Sequence, residues 1–207
     1  MTEVTPSPRL ASALAAHGLT LDILAREASA IALFGSRANG CARPTSDWDV
    51  LCIGTGHTRK LSGLDLVWID ARSLEQEAWL GSDLAGHVAA YGAWLHGTPP
   101  WHAADLRFDL AARRKEERIA RRLQSLARSW DLLGPSYRDK YATLVRRDAQ
   151  RLEGFIGRAP VRPTALLDAA WRAHEDATRW LGELISHLGA EPWLIEALTV
   201  RAASRDH

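Results

Sequence analysis

The sequence predicts an α+β fold in which a small unit of strands and helices is followed by a helical bundle. Three short apolar segments between residues 30 and 69 are bounded by glycine, aspartate or turn residues, which is typical of buried strands. From residue 73 onward, apolar side chains recur at intervals of three and four residues, the spacing of amphipathic helices. This change of pattern predicts two domains, 1–100 and 101–207.

The first domain is predicted to begin with helices and to continue with strands. Residues 9–27 are rich in Ala and Leu at helical spacing, and Gly18 separates two helices. Thr20 is the predicted N-cap of the second helix because its hydroxyl can accept a hydrogen bond from a free backbone N–H. The elements predicted next are a strand at 30–34, a loop at 35–46, a strand at 47–53, a turn at 54–63 and a strand at 64–69.

The rest of the chain is predicted to be helical. The clearest helix carries an apolar stripe of Ile119, Leu123, Leu126 and Trp130. The other helices are predicted at about 74–95, after Gly134-Pro135 as far as Phe155, at 164–188 and at 191–202. Their lengths and short connections indicate an antiparallel bundle.

Composition and charge exclude several classes of protein. The chain is 46% hydrophobic and 25% charged, as ordinary globular proteins are, and its net charge of +1 gives no strong overall attraction for nucleic acid or acidic membranes. Cys41 and Cys52 are too few for a disulfide framework and lack the spacing of a zinc site. No apolar run approaches the ~18 residues of a membrane span. These features indicate a cytoplasmic protein without a membrane partner.

One stretch of the first domain carries a pattern with chemical meaning. A predicted strand runs into Gly35-Ser36, ten residues intervene, and Asp47 and Asp49 then flank a single hydrophobic residue. A glycine lets the backbone approach a phosphate closely, and Ser36 offers a hydroxyl and an N–H to the same anion. The stretch therefore predicts a phosphate-binding turn beside two carboxylates.

The two aspartates are predicted to lie on one face of the sheet. Residues two apart on a strand point the same way, so Asp47 and Asp49 share a face while Trp48 points to the other. Neighbouring carboxylates repel each other unless a cation lies between them, and oxygen ligands without His or Cys favour Mg²⁺. A third carboxylate on the adjacent strand would complete a two-metal site.

These residues resemble the motif of the polymerase β nucleotidyltransferase superfamily, and most closely its minimal and antibiotic (aminoglycoside and lincosamide) members. The resemblance implies a mixed sheet with flanking helices, a two-metal Mg²⁺ site, and ATP or another nucleoside triphosphate as donor. It also implies that Gly35 and Ser36 bind the triphosphate and that Asp47 and Asp49 bind the metals. Asp65, in a hydrophobic-Asp-hydrophobic pattern on the third strand, would be the third ligand and the catalytic base.

Several neighbouring residues have more than one interpretation. Asp70 is a second candidate for the third carboxylate. Trp48 departs from the superfamily pattern, in which the residue between the two aspartates is usually aliphatic. Arg37, together with Ser46, is placed in the predicted nucleotide-binding set, although loop arginines such as Arg37 and Arg43 are often only solvated. Ser46 either orients Asp47 or caps the turn.

The leading hypothesis is an enzyme that transfers a nucleoside monophosphate, AMP from ATP, to a hydroxyl of a small molecule. The alternative acceptors are tRNA or a protein, as in toxin–antitoxin systems, and the basic segment around Arg118, residues 113–128, favours that alternative. Interleaved glutamates, with the apolar stripe on the other side, favour instead an ordinary solvated helix. A third hypothesis is a nucleotide-binding module without activity.

Overall fold

The first unit of the computed structural model, Met1–Arg107, is built around a five-stranded sheet. The structure describes residues 7–203. The strands are β1 (Ala28–Phe34), β2 (Trp48–Gly54), β3 (Arg59–Leu61), β4 (Leu64–Ile69) and β5 (Ala93–His96), in the spatial order β3-β4-β2-β1-β5. β2 and β4 are parallel, and the other neighbouring strands are antiparallel. The predicted mixed sheet is confirmed.

Helices of the first unit flank this sheet. They are α1 (Pro8–Ala15), α2 (Leu21–Ala25), α3 (Gly35–Ala38), α4 (Glu77–Leu80) and α5 (Asp83–Tyr91). The hydroxyl of Thr20 accepts a hydrogen bond from the Ile23 N–H at 3.1 Å, which confirms the predicted N-cap of α2.

Both faces of the central strands are buried. Leu10 and Leu14 of α1 and Leu24 of α2 form one core with alternate residues of the strands. Those strand residues are Ile31, Leu33, Val50, Cys52, Leu64 and Leu66. The intervening residues Ala30, Ala32, Leu51 and Ile53 are also buried. Burial on two faces explains why β1 and β2 are nearly continuous apolar runs.

Two strands of the sheet differ from the sequence prediction. The predicted helix at 74–95 is wrong, because Gly81 ends α4, the Ser82 hydroxyl caps α5, and residues 93–96 leave the helix to pair with β1. The predicted turn at 54–63 contains the short edge strand β3, which pairs with β4 through the two-residue connection Ser62-Gly63. Both strands are defined by pairing with distant residues, which local periodicity does not report.

The second unit, Phe108–His207, is helical throughout its described part. Its helices are α6 (Phe108–Ser129), α7 (Pro135–Ile156), α8 (Thr164–Ala173), α9 (Ala177–His187) and α10 (Pro192–Ala203). The predicted stripe, three residues of α6 and Trp130 directly after it, is buried in one core with residues of α7, α9 and α10, as expected. The predicted long helix at 164–188 is divided instead, because the backbone leaves the helical conformation at His174.

Buried ion pairs join the helices of this second unit. Lys115 is only 1% exposed, and its Nζ lies 3.2 Å from the Asp148 carboxylate. Arg122 donates to the other oxygen of Asp148 at 2.6 Å.

No helix among residues 7–203 is long and apolar enough to cross a bilayer. The functional assignment of domains 1–100 and 101–207 stays a prediction.

Candidate active site

Gly35 and Asp49 lie so close together that any side chain at position 35 would collide with the Asp49 carboxylate. Gly35 has a φ of 71°, in the left-handed region that favours glycine. A Cβ placed on it would lie 2.0 Å from Oδ2 of Asp49. The sequence predicted a glycine that makes room for phosphate, whereas in the structure this glycine also makes room for a carboxylate.

Pairing of the parallel strands places two of the three predicted carboxylates side by side. Asp49 of β2 is the register partner of Asp65 of β4, so both residues lie on the same face of the sheet. Asp47 is exposed and immediately precedes β2. The three aspartates therefore lie at one end of two neighbouring strands.

The electrostatics of Asp49 reflect this crowding. Burial, then the charge of Asp65, then that of Asp47 raise the pKa of Asp49 to about 6, although Lys60 and Arg37 lower it. Like charges this close together favour a bound cation. The group is thus prepared to bind positive charge at neutral pH.

Lys60 already supplies positive charge at this site. It is the register partner of Asp65 across β3 and β4, and its Nζ lies 3.2 Å from Oδ2 of Asp65. The other oxygen, Oδ1, is buried and accepts no hydrogen bond from any residue in the range 7–203. Only one of the two carboxylate oxygens of Asp65 therefore has a partner among the described residues.

The residues fit a hard divalent cation, although they do not form a finished site. Within residues 7–203, the structure gathers no three His, Cys, Asp or Glu side chains into a metal-binding group. The available donors are carboxylate oxygens, which Mg²⁺ prefers, and Oδ1 of Asp65 lacks the partner that a cation would provide. Asp47, Asp49 and Asp65 are the residues that would hold such a cation.

The loop between β1 and β2 is held in place by Arg37. Its Nε and Nη2 donate to the Ser46 carbonyl at 3.0 and 2.5 Å. Its guanidinium lies over the Trp48 ring, with Cζ 4.4 Å from the centroid. These contacts stabilise the loop directly before Asp47. A direct contact of Arg37 with the nucleotide stays a prediction, as do those of Gly35, Ser36 and Ser46.

The hydrogen bonds of Ser46 and Asp70 bear on two questions that the sequence left open. The Ser46 hydroxyl accepts a hydrogen bond from the Arg43 N–H at 2.9 Å, so Ser46 caps the turn. The Asp70 carboxylate accepts from the Arg72 N–H at 2.9 Å and caps a 3-10 turn beyond the far end of β4. Of the two candidates for the third carboxylate, the geometry favours Asp65.

Sequence reasoning missed two residues of this site, Lys60 and Trp48. Lys60 lies in a segment predicted to be a turn, and only the Ser62-Gly63 hairpin brings it to Asp65. A hairpin signal was present, since a Ser-Gly pair separates Leu61 from the apolar Leu64. Trp48 was predicted only to pack on the opposite face. It does contact that core, and it also provides the surface on which Arg37 stacks.

Comparison with known proteins agrees with this geometry. The family model described as a nucleotidyltransferase domain matches residues 21–133, which is more than half of the chain. The match includes the whole motif from Gly35 to Asp65. Among curated proteins, none matches the sequence. With a matching family model and a mixed sheet that carries the motif, the chain belongs to the nucleotidyltransferase domain family.

Proposed function

We propose that the protein transfers a nucleoside monophosphate, AMP from ATP, to a hydroxyl of a small-molecule acceptor in a reaction that depends on Mg²⁺. The observation that carries the proposal is the pairing of Asp49 with Asp65 on adjacent strands beside Gly35, with Asp47 near enough for its charge to raise the pKa of Asp49. Membership of the family supports nucleotidyl transfer in general. ATP and the small acceptor rest on the resemblance to antibiotic nucleotidyltransferases.

Each residue of the motif has a part in this reaction. Gly35 and Ser36 bind the triphosphate through their backbone and the serine hydroxyl. Asp47 and Asp49 hold Mg²⁺, with Asp65 as the third ligand. Mg²⁺, when bound, supplies positive charge that neutralises the triphosphate and helps the acceptor hydroxyl to ionise. Arg37 keeps the loop in position through the Ser46 carbonyl.

The chemical step is a substitution at the α-phosphorus. The acceptor oxygen forms a bond to this phosphorus, the bond to the bridging oxygen breaks, and pyrophosphate leaves. Asp65 takes the proton of the acceptor hydroxyl.

The test is transfer from α-labelled ATP in the presence of Mg²⁺ to a panel of aminoglycosides and lincosamides. We expect Asp47→Ala, Asp49→Ala and Asp65→Asn each to lower transfer at least about 100-fold. Asp70→Asn is a matched control, because Asp70 follows the same strand but caps a 3-10 turn. Unchanged transfer and unchanged nucleotide binding in both alanine variants would exclude the proposal.

A macromolecular acceptor is the second candidate because α6 exposes arginines. Arg113, Arg118, Arg121 and Arg128 are exposed. Other cations of the same segment serve the fold, since Lys115 and Arg122 pair with Asp148. Labelling of tRNA or protein in the same assay, with RNA binding that weakens steeply as salt rises, would favour this acceptor over a small molecule.

Asp65→Asn also separates an enzyme from a module that only binds nucleotide. In an enzyme, the substitution abolishes turnover while ATP still binds at the phosphate turn. If the wild-type protein binds ATP with Mg²⁺ and labels none of these acceptors, the nucleotide-binding module becomes the better interpretation.

A further inference from the structure

Lys60 makes an ion pair inside the carboxylate group that the proposed function assigns to metal. Its ammonium lies 3.2 Å from Oδ2 of Asp65, and its positive charge also lowers the pKa of Asp49. One lysine thus acts on two of the three carboxylates. A divalent cation that binds these carboxylates is therefore repelled by the positive charge of Lys60.

The pairing of β3 with β4 fixes where Lys60 can reach. Lys60 and Asp65 are directly opposite each other in this antiparallel pair, where facing side chains lie within contact distance. The preceding residue, Arg59, points to the other face of the strand because side chains alternate. The strand therefore presents one of its two cations to the carboxylates.

The side chain of Lys60 is exposed enough to move away from Asp65. This side chain is 79% exposed, whereas that of Asp65 is 25% exposed. An exposed lysine is held by a weak, salt-sensitive pair, so displacement costs little. The other oxygen of Asp65, Oδ1, has no hydrogen-bond partner among the described residues, and Asp49 lies beside Asp65 on the same face of the sheet.

We infer that Lys60 competes with the divalent metal for Asp65, so that its ammonium neutralises this carboxylate in the metal-free protein and is displaced when the metal binds. This inference rests on the proposed function, because it takes Asp65 to be a metal ligand. It assigns to Lys60 a role in setting metal affinity, which neither the family motif nor the sequence pattern indicates. The role is exerted through Asp65, so Lys60 is a positioning residue.

The test measures the affinity of the nucleotide-free protein for Mn²⁺ by electron paramagnetic resonance. The measurement is made at about pH 8, where carboxylates are ionised. We expect Lys60→Met to bind Mn²⁺ about threefold more tightly than wild type, since it removes a competing charge at an exposed pair. Lys60→Arg keeps the charge and stays close to wild type. Arg59→Met is the matched control, with the same charge removed from the opposite face, and it leaves Mn²⁺ affinity unchanged.

Salt provides a readout that a merely structural lysine would not change. The difference between Lys60→Met and wild type shrinks as KCl rises from about 0.02 M to about 0.5 M, because screening weakens the lysine's charge. Unchanged or weaker Mn²⁺ binding in Lys60→Met overturns the inference. The inference is also overturned if Lys60→Arg binds Mn²⁺ as tightly as Lys60→Met does.

One further variant separates this inference from the proposed function. Asp49→Asn removes a proposed metal ligand and is expected to weaken Mn²⁺ binding at least about tenfold. If wild type and Asp49→Asn bind Mn²⁺ equally, or neither binds it, the proposed metal site itself is wrong. If Asp49→Asn weakens binding while Lys60→Met leaves it unchanged, only the role of Lys60 is wrong.

Discussion

Gly35 and Asp49 constrain each other at the scale of single residues. The carboxylate of Asp49 occupies the volume in which a side chain at position 35 would begin. The left-handed backbone of Gly35 adds a second reason for glycine. Gly35 thus permits both the left-handed turn and the position of the Asp49 carboxylate.

We predict that Gly35→Ala damages the site far more than a comparable substitution at Gly40. Gly40 has a similar φ of 74°, but a Cβ there meets nothing within 4 Å among the described residues. Gly40→Ala should therefore lose only about 1–2 kcal/mol to backbone strain. Gly35→Ala should lose more stability than Gly40→Ala, and it should also displace the Asp49 side chain. Urea unfolding and Mn²⁺ binding of the two variants measure this difference, and equal effects would contradict the steric argument.

Asp49 leads to a prediction about pH and stability in the metal-free protein. Its folded pKa of about 6 exceeds the ordinary value of 3.8, so the folded state binds the proton more tightly than the unfolded state. This contribution to stability is complete below pH 3.8 and is lost as the pH rises through about 6.

Asp49→Asn, which stays neutral, should therefore stabilise the metal-free protein at pH 7. After allowance for solvent screening of this half-buried group, we expect a gain of about 1 kcal/mol, which corresponds to a rise in Tm of about 2–4 °C. The gain should disappear below about pH 4. Thermal unfolding with a chelator at both pH values tests this, and a less stable variant at pH 7 would contradict it.

At the scale of elements, the loop between β1 and β2 depends on contacts of Arg37 rather than on its charge alone. Lysine keeps the charge but lacks the planar fork that donates to the Ser46 carbonyl and stacks on Trp48. We therefore predict that Arg37→Lys lowers kcat/KM for nucleotidyl transfer about tenfold, nearly as much as Arg37→Met.

Arg43→Met is the control for this loop. Arg43 is exposed, and its backbone N–H rather than its side chain is bonded to Ser46. Transfer by this variant should change less than about threefold. Wild-type activity in Arg37→Lys would show that only the charge at position 37 matters, as in direct phosphate binding.

The elements also show which parts of the fold could be predicted from the sequence. The carboxylate motif and the stripe on α6 were predictable because each depends on local alternation or helical spacing. β5 was not, since Ala93–His96 resembles the end of a helix until it pairs with β1 some 60 residues earlier. Lys60 was missed for the same reason, because its position depends on the pairing of β3 with β4.

At the scale of the whole molecule, each unit has a hydrophobic core of its own. In the second unit, ion pairs add to the core, since Asp168 of α8 accepts hydrogen bonds from Arg146 and Arg147 of α7. Burial alone would raise the pKa of Asp168, but these two arginines outweigh it and lower the pKa below 3.8.

Asp168→Asn should therefore destabilise the protein at neutral pH, by about 2 kcal/mol for a partly exposed pair. The lowered pKa means that the charged form stabilises the fold above pH 3.8 and that this stability is lost as the pH falls through the folded pKa. The difference between variant and wild type should shrink below about pH 4. Urea unfolding at several pH values measures it, with the exposed Glu117→Gln as control, and a difference that does not vary with pH would contradict the argument.

The two-residue turn between β3 and β4 has an evolutionary consequence. One extra residue between Leu61 and Leu64 would shift the register of the edge strand β3, because β4 stays paired with β2, and would turn Lys60 away from Asp65. Replacing Ser62 leaves that geometry intact. We therefore expect insertions in this hairpin to disturb the site more than substitutions of Ser62 do, so that evolution is freer to change its composition than its length.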